Sequence, residues 1–457
     1  MSKRIAGIGA NLALLAGFLV LARWHLGLFP AGMFEDDAFF YLQIARNLAL
    51  TGAVSFDGIS ATNGVHPLWL GVLASGAWLT HAAGLPVEAG LVLTAGLPLL
   101  GFAILCPPLI FAAILAAVYL SGFGMEGVLG ALLFTVLALV AERGWRWSLA
   151  LIALALVLCR IDFLPPLSLL ALWFTLGRRR LVLPLCIGMV AGIAASFAAN
   201  WAMAGEILSI SAAQKLGESV QIAGLELLQI NLSTPGNLLR FAIYAAALTL
   251  LVTAKRPRVV LTAPTFHLCL ASFLALHANA SALRDWYFSV PVLTALAASA
   301  LVITQGRRAW LFTLLCLLLP VAATGAQMTW WHQESQRYRS FLDGIERSGP
   351  PLMAYDGSGY IAFRLYPRAV INGDGLVNSS EFAQHSSDPE WLAAYLARNR
   401  VAGFLTNPSY PGCPAPRFCC PSDQIREAAG WQSQHRLLAD RLWLFDGDGI
   451  ACALRPR

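Results

Sequence analysis

Apolar runs close to membrane-spanning length recur along the first two-thirds of the chain, separated by short arginine clusters, and from about Thr329 they give way to short alternating and polar segments. A helix rises 1.5 Å per residue, so about 20 apolar residues cross the hydrocarbon layer of a bilayer. Ile5 to Phe29 follows Ser2-Lys3-Arg4 and lacks a small-residue cleavage site, so it reads as a retained helix and not a signal peptide. The clusters Arg178-Arg179-Arg180, Lys255-Arg256-Pro257-Arg258 and Arg307-Arg308 lie between apolar runs and are assigned to the cytoplasm by the positive-inside rule. The runs Leu181 to Ala204, Leu238 to Ala254, Val259 to Leu276, Trp286 to Thr304 and Trp310 to Gln327 then alternate across the membrane. Residues 30–64, 205–237, 277–285 and everything after Met328 are expected outside. Trp145 to Leu176 is interrupted by Cys159-Arg160-Ile161-Asp162, which predicts two short helices meeting outside, because charges at mid-membrane are costly.

Between the first external loop and Gly124 lie three apolar stretches, His66 to Leu79, Ala89 to Leu105 and Pro108 to Leu120, although both ends belong on one face. One stretch is therefore expected to be re-entrant or interfacial; the alternative is a single kinked helix around Cys106-Pro107-Pro108. Within the tail, Pro351 to Tyr355, Arg368 to Asn372, Val401 to Thr406 and Arg441 to Phe445 read as strands and Pro389 to Arg398 as a helix. The expected architecture is a polytopic α-helical membrane protein of about 10–12 membrane helices, residues 1–328, followed by an extracytoplasmic α/β domain, residues 329–457.

Composition narrows the class. Hydrophobic residues make up 58% of the 457 residues and charged residues 12%, half the usual share, which excludes a soluble enzyme, a fibre and a disordered linker. The net charge of +6 does not indicate nucleic-acid binding, because the only lysines are Lys3, Lys215 and Lys255 and the arginines fall in loop clusters. No phosphate-cradling glycine motif is present, which excludes a Walker-type ATPase. Cys413, Cys419, Cys420 and Cys452 lie in a tail expected in an oxidising compartment; adjacent Cys419 and Cys420 do not readily bond each other, so each is expected to pair with Cys413 or Cys452.

Candidate chemistry concentrates in the first external loop, where Phe34-Glu35-Asp36-Asp37 precedes a helix-like stretch from Asp37 to Leu50. Its apolar residues recur at helical spacing with Arg46 and Asn47 on another face, which predicts an amphipathic helix along the outer membrane surface. Acids at a helix start complement its dipole, but one acid suffices for that. A desolvated carboxylate at the membrane mouth gains a raised pKa and can act as general base. Glu126 either starts a helix, orients the acceptor or positions Arg160. Arg160 with Asp162 is either an ion pair fixing two helix ends or a phosphate contact. His66 either packs at the interface or bonds a sugar or phosphate. Lys215 and Arg284 are further external-face cations, Trp286 and Tyr287 read as membrane-belt aromatics, and Asp374 as a turn residue. No His, Cys and acid set has metal-ligand spacing; Asp36 and Asp37 with a phosphate could hold a divalent ion, which nothing requires.

The acidic pair after the first apolar run, the Ala-Arg-Asn-Leu helix, Ser55-Phe56-Asp57-Gly58, Thr62-Asn63-Gly64 with Pro67-Leu68-Trp69, and Gly124-Met125-Glu126 together resemble the GT-C superfamily of membrane glycosyltransferases. The likeness is to the bacterial mannosyl- and arabinofuranosyltransferase-like branch, whose external domain is also similar to Val370-Ile371-Asn372-Gly373-Asp374-Gly375. It implies an inner-membrane enzyme that moves a sugar, with inversion, from a polyprenyl-phosphate donor to a hydroxyl of a lipid, glycan or protein acceptor on the extracytoplasmic face. Carried onto this chain, Asp36 or Asp37 is the base, with Asp36 preferred; Arg160, Lys215 and Arg284 are available to the lipid phosphate, and Glu126 and His66 to substrate. No cofactor is implied. The alternatives are a lipid or glycan flippase, which should show paired repeats, and an O-antigen polymerase or ligase, which concentrates arginines in a large external loop.

Overall fold

A computed structural model of the chain describes residues 2–26, 33–120, 122–213, 244–245, 259–280, 285–303, 339, 342–354, 357–386, 388–405 and 442–444. It is mostly helical: α1 Ser2–His25, α2 Asp36–Thr51, α3 Pro67–Ala82, α4 Val87–Ala95, α5 Leu97–Leu105, α6 Pro108–Leu120, α7 Gly127–Arg143, α8 Arg146–Cys159, α9 Leu164–Gly177 and α10 Val182–Ala204, then α11 Pro264–Ala280 and α12 Ser289–Ile303. Among the described residues three helical stretches are long and apolar enough to cross a membrane: Arg4–His25, Val87–Leu105 and Arg179–Ala204.

The second stretch turns at Gly96-Leu97-Pro98, where α4 passes into α5, and the chain breaks again at Cys106-Pro107 before α6. Proline removes a backbone donor and crowds the preceding turn, so these positions end helices. Small residues let neighbouring helices approach closely. A Cβ on Gly76 of α3 would lie 2.7 Å from the carbonyl of Gly90 on α4, and one on Gly188 of α10 would lie 2.2 Å from the carbonyl of Ala150 on α8. Gly188, Gly192, Ser196 and Asn200, each four positions apart, form the buried stripe of α10.

The break predicted between α8 and α9 is present: a 3-10 turn at Ile161–Phe163 separates the two helices. The placement predicted for α2 is corrected. Instead of lying along a surface with one face open, α2 is buried at every position from Ala38 to Asn47. The reason is the tail, whose helix α13, Ser358–Leu365, covers the side expected to face outward. Arg46 donates to the Phe363 carbonyl at 3.0 Å, lies 3.9 Å from the centre of that ring, and pairs with Glu88 at 2.8 Å. Burial draws its guanidinium down to about 10, against the pull of Glu88. On another side Asn47 donates to the carbonyls of Ser55 and Phe56 at 2.8 and 3.1 Å.

The tail strands β1 Leu352–Ala354, β2 Val370–Asn372, β3 Gly403–Leu405 and β4 Leu442–Leu444 fall inside the segments read as strands and form one sheet in the order β2-β1-β3-β4. β1 runs parallel to β2 and β3, and β4 antiparallel to β3. Helix α13 joins β1 to β2; α14, Ser380–His385, and α15, Pro389–Arg398, precede β3. The Asp388 side chain caps α15.

Candidate functional site

The two loop carboxylates begin α2 but serve different neighbours. Asp36 accepts backbone N–H bonds from Tyr360 at 2.9 Å and Gly359 at 3.3 Å, joining the loop to the start of α13. A Cβ at residue 359 would meet the Asp36 carbonyl at 2.4 Å, so glycine is needed for this approach. Burial pushes the Asp36 carboxyl well above its usual range; the Tyr360 and Gly359 amides oppose the shift, and Asp37 and Asp374 add to it.

Asp37 instead lines a partly open cleft with Tyr41, His66, Glu126, Arg160 and Tyr287. Leu376 and Val377 of the tail close one side. They come close because a Cβ on Gly64 would stand 2.1 Å from the Leu376 carbonyl, a distance only glycine permits. Ser211 completes another wall. Its segment is pinned by Asn63, which donates to the carbonyls of Glu206 and Leu208 at 3.3 and 3.0 Å and accepts from the Ile210 amide at 3.0 Å.

The cleft floor is a charged chain drawn from distant parts of the sequence. Arg160, at the break between α8 and α9, donates from Nη1 to the Glu126 carboxylate and from Nε and Nη2 to Asp162 at 2.8 and 2.5 Å. His277 Nε2 lies 2.9 Å from the other side of the chain at Asp162 Oδ2, and its ring stacks on Tyr287 at 3.9 Å. The Arg160 guanidinium stands 5.3 Å from the Tyr287 ring. His66 Nε2 is 3.9 Å from Glu126 Oε1. Burial works to raise the Glu126 carboxyl, but Arg160 and then His66 outweigh it and hold the group below its usual value. Trp69 donates from its indole to the Gly124 carbonyl at 2.8 Å, tying α3 to the turn that presents Glu126.

Of the sequence candidates, Asp37, His66, Glu126 and Arg160 therefore share one cleft, while Asp36 faces the tail. Lys215, Arg284 and the cysteines Cys413, Cys419, Cys420 and Cys452 lie outside the described residues. His277 and the bonding role of Tyr287 escaped sequence reasoning: each sits on or beside an apolar helix more than 100 positions from Arg160, with no local pattern to link them. Asp374 is a turn residue that accepts from the Leu376 amide at 3.1 Å and lies near enough to Asp36 to raise it. Among the described residues no group of three His, Cys, Asp or Glu side chains is arranged to hold a metal ion.

Behind His66 lies a second, smaller cavity, sharing Val65 and His66 with the first and otherwise lined mainly by Val157, Leu158 and Ile161, by Ser196, Phe197 and Asn200 of α10, and by Leu208. Chemically, the first cleft offers a proton acceptor at Asp37, an anionic acceptor at Glu126, and an arginine whose charge is balanced by two carboxylates. Comparison of the chain with known protein families and with curated proteins gives no match.

Proposed function

We propose that this chain is a multi-pass bacterial inner-membrane glycosyltransferase of GT-C type, with its tail as an extracytoplasmic α/β domain and its site on that face. In this reading Asp37 takes the proton from an acceptor hydroxyl, the oxygen attacks the anomeric carbon of a polyprenyl-phosphate sugar, and the bond from that carbon to the phosphate oxygen breaks with inversion. The lipid phosphate leaves as an anion. One observation carries the proposal: a first-loop carboxylate, Asp37, lines a cleft together with an arginine, a histidine and a second buried carboxylate, at the meeting point of the apolar helices and the tail.

The roles of the remaining groups follow from their bonds. Arg160 already serves Glu126 and Asp162, so its first task is to position them. Lys215 and Arg284 are then the cations left for the departing phosphate, whose charge needs compensation at the interface. Asp36 joins the loop to the tail, so the base falls to Asp37, the second of the two acids considered from sequence. A flippase would use charges spaced along a pathway; the gathering of these charges in one cleft favours transfer chemistry.

The test is turnover of purified protein with a polyprenyl-phosphate sugar and membrane-derived acceptor. Asp37→Asn removes the base and should lower the rate by roughly 100-fold or more, while Asp36→Asn keeps most of it. Equal losses, or an active Asp37→Asn protein, would overturn the assignment.

A further inference from the structure

The second cavity holds an unspent polar atom. Asn200 is 6% exposed, lines the cavity and donates from Nδ2 to the Ile207 carbonyl at 3.0 Å, which orients the amide. Its Oδ1 is buried without a hydrogen-bond partner among the described residues. Val157, Leu158, Ile161 and Phe197 line the same cavity. In the adjoining cleft Glu126, 1% exposed, meets Arg160 at Oε1 and has the Tyr41 hydroxyl beside its carboxylate, while its Oε2 is buried with no partner in hydrogen-bonding geometry among the described residues. Both unspent atoms are acceptors. A phosphate or carboxylate brings only more acceptors, so neither is the ligand these two points call for.

From this pairing we propose that the two cavities together seat an amphiphilic acceptor: an apolar chain in the second cavity, with a chain hydroxyl or amide N–H donating to Asn200 Oδ1, and a hydroxylated head in the first cleft donating to Glu126 Oε2 beside Asp37. The shared wall, Val65 and His66, lets one molecule reach both spaces. The inference rests on the transferase reading and narrows it: among lipid, glycan and protein acceptors, the substrate is a lipid whose head and upper chain both carry hydrogen-bond donors. Asn200 and Glu126 choose the acceptor, while the donor phosphate is met elsewhere.

The experiment is photolabelling of the full chain in phosphatidylcholine nanodiscs with a monoacylglycerol whose acyl chain carries a 2-hydroxyl group and, further along, a diazirine. Adducts are expected on α10 around Ser196 and Asn200. Asn200→Leu should cut them by about tenfold, the size of one hydrogen bond to a buried acceptor. Ala212→Phe, which narrows the cavity while leaving the Asn200 bond to Ile207 intact, should cut them as well, and its effect stands if Asn200→Leu fails to fold. Unlabelled monoacylglycerol should compete, its O-methylated counterpart about tenfold more weakly and free glycerol not at all. Labelling that neither variant lowers, or that the O-methylated compound displaces equally, overturns the proposal. Because the readout needs no turnover, the two readings part cleanly. Specific labelling without sugar transfer would refute the transferase and keep the amphiphile seat; transfer without specific labelling would do the reverse.

Discussion

Successive positions on an α-helix lie about 100° apart, and that rotation separates the work of two neighbouring acids. Asp36 turns to the amides of α13, and Asp37 to the cleft. The raised Asp36 pKa has a consequence for stability. Unfolded, its carboxyl titrates near 3.8; folded, it binds its proton more tightly, so its contribution to stability is complete below that value and is lost as pH rises through the raised one. Thermal midpoints of the wild type should therefore decline from acid toward neutral pH more steeply than those of Asp36→Asn, which has no such proton to lose. Parallel curves would show that Asp36 is not the source. Arg160 offers a second comparison. Removing it leaves Glu126 buried without its cation and Asp162 with His277 alone, a loss of roughly 3–5 kcal/mol. If its task is positioning, Arg160→Ala combined with Asp162→Ala should recover part of the folding stability yet still lack transfer, because Glu126 remains displaced. Full recovery of activity in the double variant would reduce Arg160 to a counter-ion for Asp162.

At the scale of elements, the interlocking of helices through glycine is the feature most open to test. Gly188→Ala adds one methyl where a backbone carbonyl stands 2.2 Å away. Alanine favours a helix over glycine by about 1 kcal/mol, but a backbone clash has no flexible end to move and costs about 1–3 kcal/mol. The clash should win. A lowered unfolding temperature in detergent is expected, and a raised one would mean that α8 and α10 do not pack as described. The elements themselves were largely legible from sequence, because their signals are local: the unbroken apolar run of α10, the Arg160-Ile161-Asp162 interruption, the Pro389 start of α15. Their burial was not. The sequence of α2 shows one apolar and one polar side, and nothing within it announces that the polar side will be met by Phe363 and Glu88. The same holds within the cleft. Glu126, Arg160 and Asp162 could each be singled out by type and position, and a partnership of Glu126 with Arg160 is among the readings left open, but the arrival of His277 depends on a chain path that leaves no periodic trace.

For the whole molecule, the proposed orientation places the tail outside the cell. Glu390 lies exposed on α15, so a Glu390→Cys protein in intact spheroplasts should react with a membrane-impermeant thiol reagent at that peptide. Reaction only after lysis would put the tail inside, and the proposed site with it. The enclosure of α2 also bears on timing. Arg46 and its partner carbonyl at Phe363 are 317 positions apart, and a ribosome adding about 5–20 residues per second needs roughly 15–60 s to make the second after the first. Through that interval the helix that carries both acids has emerged without its cover, and its arginine, its aromatic face and the Asp36 carboxylate all await a segment not yet synthesised. The charged cleft is thus among the last parts of this protein to be completed, and an interrupted chain would hold Asp37 without the tail residues that wall its cleft.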